Sequence, residues 1–155
     1  MRSLIIPAAM AFLVSPVPAQ EFTSPDDLLS SLYSGYLSGG AVTNFEPYFS
    51  DRLTEEMDGA RVPREALGRL GFDPITGMDQ PRLMTVFNLE TLATEGLTAT
   101  SVASFRADGV LFTINFELVR EQRHGWQIDH ISGKAGDVSW CTNDLVAAMQ
   151  AAATP

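Results

Sequence analysis

Four polar side chains of types that transfer protons stand within otherwise apolar patterns of this sequence. Tyr33 and Tyr36 occur in the segment PDDLLSSLYSGYL, and Asp129 and His130 occur in the segment GWQIDHI. Proton-transfer catalysis needs a carboxylate or imidazole whose pKa is shifted by its surroundings, and a hydroxyl that can stabilise a developing oxyanion. The four residues therefore have suitable chemical types, provided that the fold brings them together.

The two tyrosines lie on the apolar stripe of a predicted helix. Ser24 is able to cap this helix, Pro25 suits its first position, and Asp26 and Asp27 place negative charge in its first turn. The helix is expected to stop near Gly39. A tyrosine on such a stripe is either a pocket group or, more commonly, a core residue with a hydrated hydroxyl. The apolar stripe comprises Leu28, Leu29, Leu32, Tyr33, Tyr36 and Leu37.

The segment 110–131 predicts a long antiparallel hairpin. Apolar side chains occupy every second position from Val110 to Leu118, which is typical of a half-buried strand. The run Arg120 to Gly125 is charged and ends in glycine, so we expect it to turn the chain back into a second strand. The apolar face of this hairpin must be covered by the rest of the chain.

The orientation of Asp129 and His130 depends on how regular this second strand is. With unbroken alternation, His130 shares the core face with Trp126. A β-bulge, suggested by the apolar Ile131, would instead turn Asp129 inward. The competing interpretation is that both polar residues lie at the rim of the sheet, where strand ends usually carry polar groups.

Helices are predicted before the sheet and strands after them, which indicates an α+β protein. We expect N-terminal helices packed on a curved, mainly antiparallel four-stranded sheet, with a C-terminal helix, in a single domain spanning residues 20–155. The segment Gly133 to Val138 is expected to be irregular. The other predicted elements are a helix capped by Ser50 and ending at Gly59, a short helix over Arg64 to Leu70, strands over Leu83 to Leu89 and Thr98 to Arg106, and a last helix over Thr142 to Ala153.

Two local motifs and this order of elements carry a resemblance. The turn Asp73-Pro74-Ile75-Thr76-Gly77 is followed by Asp79, and the strand 125–131 has the pattern Gly-Trp-x-Ile-x-x-Ile. With helices first and a meander after them, the chain resembles, over about residues 22–150, a bacterial exported family of unknown function. That family is similar to the nuclear transport factor two superfamily, whose members share a cone-shaped α+β fold.

The resemblance implies a pocket between the helices and the concave sheet, which enzyme members of the superfamily use for proton transfer. Tyr33, Tyr36, Asp129 and His130 are the candidate pocket residues. Three functions stay open. The first is a ligand-binding or protein-binding domain without catalysis, and the second is a cofactor-free isomerase or lyase that uses the pocket between the first helix and the sheet. The third is a structural or inhibitory protein that acts through its acidic exterior on a basic partner, with an affinity that falls as salt is added.

The sequence predicts no metal or cofactor site. Asp73 and Asp79 could be cation ligands, but Asp73 before a proline is more simply a turn residue that accepts backbone N–H bonds. Two histidines and one cysteine are too few and too scattered for a zinc or copper set. Cys141, the single cysteine, is expected to be a buried small apolar residue at the start of the last helix, the alternative being an intermolecular disulfide or a reactive thiol.

The charge limits the classes of partner. Without Arg2 the chain keeps nine basic and nineteen acidic residues, a net charge of −10, and Lys134 is its single lysine. Nucleic acids and anionic membranes are therefore poor partners, whereas a small molecule or a protein fits. Asn115 and Glu117 mark the face of the hairpin opposite its apolar side. The residues alone are typical of the solvated side of an antiparallel sheet. Sheets of the superfamily that the chain resembles often pair face to face, so the resemblance implies a homodimer through this face as the alternative.

The first nineteen residues predict a cleaved signal peptide. Arg2 is followed by an apolar run from Leu4 to Val14, and Ala19 is a small residue at the predicted cleavage site. The apolar run is short for a membrane span. A periplasmic or secreted protein is expected.

Cleavage after Ala19 has a direct test. When the full chain is expressed in a bacterium with a general secretion system, the intact mass of the exported protein should correspond to residues 20–155, with Gln20 first. Ala19→Phe should block processing, because signal peptidase requires a small residue before the cut. A mass that retains the first nineteen residues in the wild-type protein would contradict the prediction.

Overall fold

The computed structural model describes residues 21–40, 42, 44–45, 47–59, 73–78, 82–144 and 146–147. The predicted signal peptide, the helix over Arg64 to Leu70 and Asp79 lie outside these residues, as does most of the last helix, of which residues 142–144 and 146–147 are helical. Within the described part of the chain, no helix is long and apolar enough to cross a membrane.

The described residues form an α+β structure with one antiparallel sheet, as the order of patterns predicted. The five strands follow one another across the sheet in chain order, so each pairs with the strand before it. The elements are α1 (Pro25–Leu37), α2 (Asp51–Gly59), β1 (Thr85–Glu95), β2 (Thr98–Ala107), β3 (Val110–Glu121), β4 (Gly125–Ala135) and β5 (Val138–Cys141).

The prediction of four strands was wrong, because the segment predicted to be irregular contains the end of β4, a tight turn and the first residue of a fifth strand. β4 continues to Ala135, and β5 then pairs back with it through Val138. Two glycines and an aspartate made this segment resemble a loop. One of them, Gly133, instead lies opposite Trp140 in the paired strands. The strand predicted to end at Leu89 is also longer, because β1 runs to Glu95.

The predicted start of α1 is confirmed. The Ser24 hydroxyl accepts the backbone N–H of Asp27 at 3.1 Å, which satisfies one of the free donors of the first turn. The predicted stripe is buried except at its last residue, Leu37, which is exposed. α1 packs across β1 and β4, so its tyrosines enter the space between the helix and the sheet.

α2 is capped by Ser50, also as predicted. The Ser50 hydroxyl accepts the N–H of Leu53 at 3.0 Å, and the backbone N–H of Ser50 donates to the carbonyl of Ile128 at 2.9 Å. The cap therefore has a second role, because it attaches the beginning of α2 to β4. Ser50 is fully buried at this junction.

The core lies between the helices and one face of the sheet. In β2, Ala103 and Phe105 face the core, and in β3 the alternate residues from Phe112 to Leu118 do so. Val110, predicted to share this face, is exposed. Tyr33 is fully buried at the centre, where its ring contacts three phenylalanine rings, those of Phe87, Phe105 and Phe116.

Trp140 fixes the turn Asp73–Met78, hereafter the 73–78 turn, against the sheet. Its indole lies on two glycines, because a Cβ atom on Gly77 or on Gly133 would meet the ring at 2.1 Å. The indole N–H also donates to the carbonyl of Pro74 at 3.3 Å. Both glycines are needed for this close approach, and Gly77 has in addition a φ of +68°.

Alanine substitutions should separate the steric role of Gly77 from its backbone conformation. Gly77→Ala should destabilise the protein by about 3 kcal/mol or more, since it combines a left-handed backbone with an overlap that displaces the indole. Gly133→Ala, which has the overlap without the positive φ, should cost about 1–3 kcal/mol. Unfolding in urea, followed by tryptophan fluorescence, measures both changes.

Gly109 is the matched control. Its φ is +82° but a Cβ atom there would have no neighbour within 4 Å. Gly109→Ala should therefore cost only about 1–2 kcal/mol, the strain of a left-handed residue. Equal losses for Gly77→Ala and Gly109→Ala would show that the indole does not require a glycine in the 73–78 turn.

Candidate functional site

A β-bulge lies at Asp129. Glu117 pairs with His130 and Leu118 pairs with Ile128, so Asp129 is an extra residue in β4 without an opposite partner in β3. The structure thus contains the bulge that the apolar Ile131 suggested, and Ile131 is fully buried. An extra residue in one strand redirects the side chains beside it. Asp129 points to α2 as a result.

Asp129 links β4 to the first turn of α2. Its Oδ1 accepts the Ser50 hydroxyl at 2.7 Å and the Arg52 Nε–H at 2.9 Å, and its backbone carbonyl accepts a second guanidinium N–H. Partial burial disfavours the charged carboxylate. The hydrogen bonds from Arg52 and Ser50, together with the charge of Arg52, outweigh that effect and hold the pKa of Asp129 below its ordinary value of 3.8. The Asp129 carboxylate is therefore ionised and forms an ion pair with Arg52 that has a structural role.

His130 is directed elsewhere. Its Nδ1 forms a hydrogen bond with the Thr142 hydroxyl, at the beginning of the helical residues that follow β5. The half-buried His130 therefore ties β4 to the C-terminal part of the chain. Neither Asp129 nor His130 contacts a tyrosine hydroxyl through any of these bonds.

The hydroxyls of Tyr33 and Tyr36 both bind the 73–78 turn. The Tyr33 hydroxyl donates to the carbonyl of Ile75 at 2.8 Å, and the Tyr36 hydroxyl donates to Oδ2 of Asp73 at 2.6 Å. The two rings lie 6.0 Å apart. Burial, and the nearby Asp73 carboxyl, raise the pKa of both phenols well above the ordinary value of 10.0. Both tyrosines therefore stay protonated and act as hydrogen-bond donors.

Asp73 organises the turn that receives these bonds. Its Oδ1 accepts the N–H of Ile75 at 2.8 Å, and its carbonyl accepts the N–H of Gly77 at 2.6 Å. The prediction that Asp73 is a turn residue accepting backbone N–H bonds is confirmed. Burial raises the pKa of the Asp73 carboxyl, and the hydrogen bonds from Tyr36 and from the backbone offset only part of this shift.

The structure brings together only part of the predicted site. Tyr33 and Tyr36 meet at the 73–78 turn, whereas Asp129 binds α2 and His130 binds Thr142. Sequence reasoning did not assign Asp73 to the tyrosines. The Asp-Pro turn was recognisable, but its partner lies 37 residues earlier in the chain. Among the contacts of these residues, the pair formed by the Asp73 carboxyl and the Tyr36 hydroxyl most resembles the acid–base pair of an enzyme.

The described residues contain no group of three or more histidine, cysteine, aspartate or glutamate side chains placed to hold a metal ion. Cys141 is half-buried, so the prediction of a buried residue was wrong. It is the last residue of β5 and directly precedes the helical residues that begin at Thr142. Its Sγ lies 3.2 Å from Oδ2 of Asp144, to which the thiol donates.

Asp73 and Asp129 should give opposite pH dependences of stability. The folded pKa of Asp129 is lowered, so its contribution is present above pH 3.8 and is lost as the pH falls through the lowered value. Asp129→Asn should therefore cost about 1 kcal/mol at neutral pH and progressively less in acid. The melting temperature of each variant, measured against pH, shows the change.

The folded pKa of Asp73 is raised, so charging this group opposes folding as the pH rises from 3.8 through the raised value. Asp73→Asn keeps an acceptor for the N–H of Ile75 and should gain stability relative to the wild type over that rise. If the melting temperatures of Asp73→Asn and Asp129→Asn, relative to the wild type, changed with pH in the same direction, the result would contradict the placement of Asp73 in a buried turn and of Asp129 in an ion pair.

Comparisons with known proteins find that no protein-family model, no curated protein and no solved structure matches this chain. We therefore infer function from the geometry of the chain itself. The central geometric fact is that the two tyrosines expected to line a pocket use their hydroxyls to bind the protein's own turn.

Proposed function

We propose that this protein is an exported binding domain that acts through its exterior and catalyses no reaction. The observation that supports this most strongly is the capture of both tyrosine hydroxyls by the 73–78 turn. A catalytic pocket between α1 and the sheet would need a hydroxyl or carboxylate free to meet a substrate. Tyr33 is instead surrounded by aromatic rings and has no exposed surface.

We also propose that the sheet is curved around the helices in the manner of the cone-shaped nuclear transport factor two superfamily. The order of elements, with helices first and an antiparallel meander after them, supports this relationship. So does the position of α1 across β1 and β4, because a helix that contacts these two strands lies across the sheet. We propose that the chain belongs to the bacterial exported family of unknown function whose local motifs it shares.

The proposed location is the periplasm or the outside of the cell, after cleavage of the signal peptide. The proposed partner is a protein or a small molecule that tolerates an acidic surface, because the chain without its first nineteen residues has a net charge of −10. Nucleic acids and anionic membranes fit this charge poorly. A homodimer through the outer face of the sheet remains an alternative assembly.

The second candidate function is a cofactor-free isomerase or lyase, and one observation favours it. Asp73 has a raised pKa and lies 2.6 Å from the Tyr36 hydroxyl, as a general base beside a hydrogen-bond donor would. In such an enzyme Asp73 would replace Asp129 as the reacting carboxylate. The substrate would have to displace the bond between Tyr36 and Asp73.

Chemical modification distinguishes the two candidates. A water-soluble carbodiimide with an amine nucleophile couples to carboxyl groups that reagent can reach, and mass spectrometry of peptides locates each product. Asp137 is exposed in the turn between β4 and β5 and provides the internal reference. The binding-domain proposal expects Asp73 to react at least about tenfold more slowly than Asp137, because the turn and Tyr36 shield it.

Reaction of Asp73 at the rate of Asp137 in the native protein would favour the enzyme and contradict the binding-domain proposal. Tyr36→Phe is the companion variant, since it removes the hydrogen bond to Asp73 while keeping the ring. Faster modification of Asp73 in this variant, with Asp137 unchanged, would show that the hydroxyl is what closes access to the carboxyl.

A further inference from the structure

β1 is a long strand at the edge of the sheet. It contains eleven residues and pairs only with β2, so its outer edge has no partner among the described strands. Such an edge presents unpaired backbone N–H and C=O groups that accept another strand. The opposite edge differs, because β5 has only four residues. The sheet therefore has one short edge and one extended edge.

The extended edge lacks two common protections. β1 has neither proline nor lysine, which proteins use to prevent pairing at exposed edges. It does have two register shifts, between Thr85 and Asn88 and between Thr91 and Ala93, and these bend the strand. Between the shifts, Asn88 to Thr91 pair with β2 in regular register. These four residues therefore form a regularly paired stretch of β1, and an added strand can pair along its outer edge.

Exposed apolar side chains concentrate at this edge. Eight large apolar residues of the described chain are exposed, and half of them lie in β1 or within two residues of its ends. Single exposed apolar residues are ordinary, but a concentration along one strand marks a surface that another molecule covers. The four residues, with their exposed fractions, are Leu83 (80%), Val86 (78%), Leu92 (57%) and Leu97 (63%).

The charged side chains that α1 and β1 themselves carry are all acidic. Neither α1 nor β1 contains a lysine, arginine or histidine, and together they carry four exposed acids, Asp26, Asp27, Glu90 and Glu95. The two elements are in contact, and the Thr91 hydroxyl donates to Asp26 at 2.7 Å. Basic residues lie at both ends of the strand. Arg82, paired with Asp108, precedes its start, and the backbone N–H of Arg120 donates to the carbonyl of Leu97 just beyond its end. A docking strand at Asn88–Thr91 therefore meets negative charge.

We propose that β1 docks an extended, basic segment of a partner protein, which pairs as a sixth strand along Asn88–Thr91. The inference rests on the proposed function, a binding domain that acts through its exterior, and assigns the surface and the class of partner. Backbone hydrogen bonds supply the pairing, and Glu90 and Glu95 select lysine or arginine side chains in the partner. The exposed apolar residues on either side of Asn88–Thr91 contact apolar side chains of the partner's segment.

A second copy of the chain is a poorer occupant of this edge. Antiparallel pairing of two β1 strands along Asn88–Thr91 would bring Glu90 of one copy close to Glu90 of the other, and like charges on adjacent strands destabilise the pair. The net charge of −10 on each chain without its first nineteen residues adds repulsion over a longer range. A basic segment removes both penalties.

A synthetic probe tests the proposal. The probe is an acetylated and amidated peptide of about nine residues in which lysine alternates with valine, long enough to span the edge. One control replaces every lysine with glutamate. A second control keeps the lysines and methylates the central backbone nitrogens, which abolishes strand pairing without changing the charge. Binding is measured by fluorescence anisotropy, and amide exchange of the protein locates the contact.

Matched charge reversals place the contact on β1. Glu90→Lys with Glu95→Lys should weaken binding of the lysine peptide at least about tenfold. Glu55→Lys with Asp137→Lys changes the net charge equally at exposed sites outside β1, and should weaken binding less than about threefold. Raising the salt from about 0.05 M to about 0.5 M should also weaken binding of the wild-type protein.

The proposal expects slowed exchange of β1 amides with the lysine peptide alone. Equal binding of the methylated peptide would overturn it, because attraction without strand pairing would then explain the affinity. Equal losses for the two double variants would overturn it too, as would absence of binding. Concentration-dependent protection of β1 without peptide, with a dimeric mass, would identify a second copy as the occupant.

The two proposals fail in different ways. Peptide-induced protection at another strand would overturn the β1 assignment and leave an exterior binding domain in place. Rapid carbodiimide modification of Asp73 would instead contradict the binding domain, whatever the peptide does at the edge.

Discussion

The interior of this protein depends on a single requirement, that the polar atoms buried beneath the 73–78 turn find partners. A buried polar group without a hydrogen bond costs about 1–3 kcal/mol. Here the donors are the Tyr33 hydroxyl, the Tyr36 hydroxyl and the Trp140 indole, and the acceptors are all in the turn. The turn is therefore bonded to α1 on one side and to β5 on the other. The same bonds that stabilise it occupy the groups that a substrate would need.

The two carboxylates beside the core show why residue type alone does not reveal function. Asp73 is held by a hydroxyl and backbone N–H groups, and burial raises its pKa. Asp129 lies against Arg52 and Ser50, and its pKa is lowered. The difference arises from the neighbours and not from the residue. In the sequence, Asp73 and Asp129 are both aspartates near apolar segments. Their contacts in the structure show that Asp73 belongs to a buried turn and Asp129 to an ion pair.

Local features of the fold were predictable from the sequence, because their causes lie within a few residues. The caps at Ser24 and Ser50 and the tight turn before Val110 follow from short-range hydrogen bonding and glycine geometry. For the strand that carries Asp129, the sequence allowed either regular alternation or a β-bulge. The bulge was suggested because it lets the apolar Ile131 be buried, as it is. The fifth strand was not predictable in this way. Gly133 allows Trp140 to approach, and that contact becomes visible only when β4 and β5 are paired.

The candidate site illustrates the same limit at longer range. Tyr33 and Tyr36 were recognisable as core-facing residues, yet their partners in the 73–78 turn lie 42 and 37 residues away in the chain. Asp129 and His130 are adjacent in sequence and still bind different elements. Asp129, the extra residue of the bulge, binds the start of α2, whereas His130 binds Thr142. The buried hydroxyls and the Trp140 indole are bonded to the 73–78 turn, and Gln127 Oε1 is the buried side-chain atom of the described residues without a hydrogen-bond partner. Most of the remaining unpaired backbone groups lie at the edge of the sheet. β1 concentrates that capacity, since a strand of eleven residues with a single neighbour among the described strands leaves about half of its backbone groups facing outward. The proposal that this protein binds a basic segment of a partner through β1 follows from this contrast, because the buried polar groups bond within the protein while the edge of β1 is acidic and flanked by exposed apolar residues.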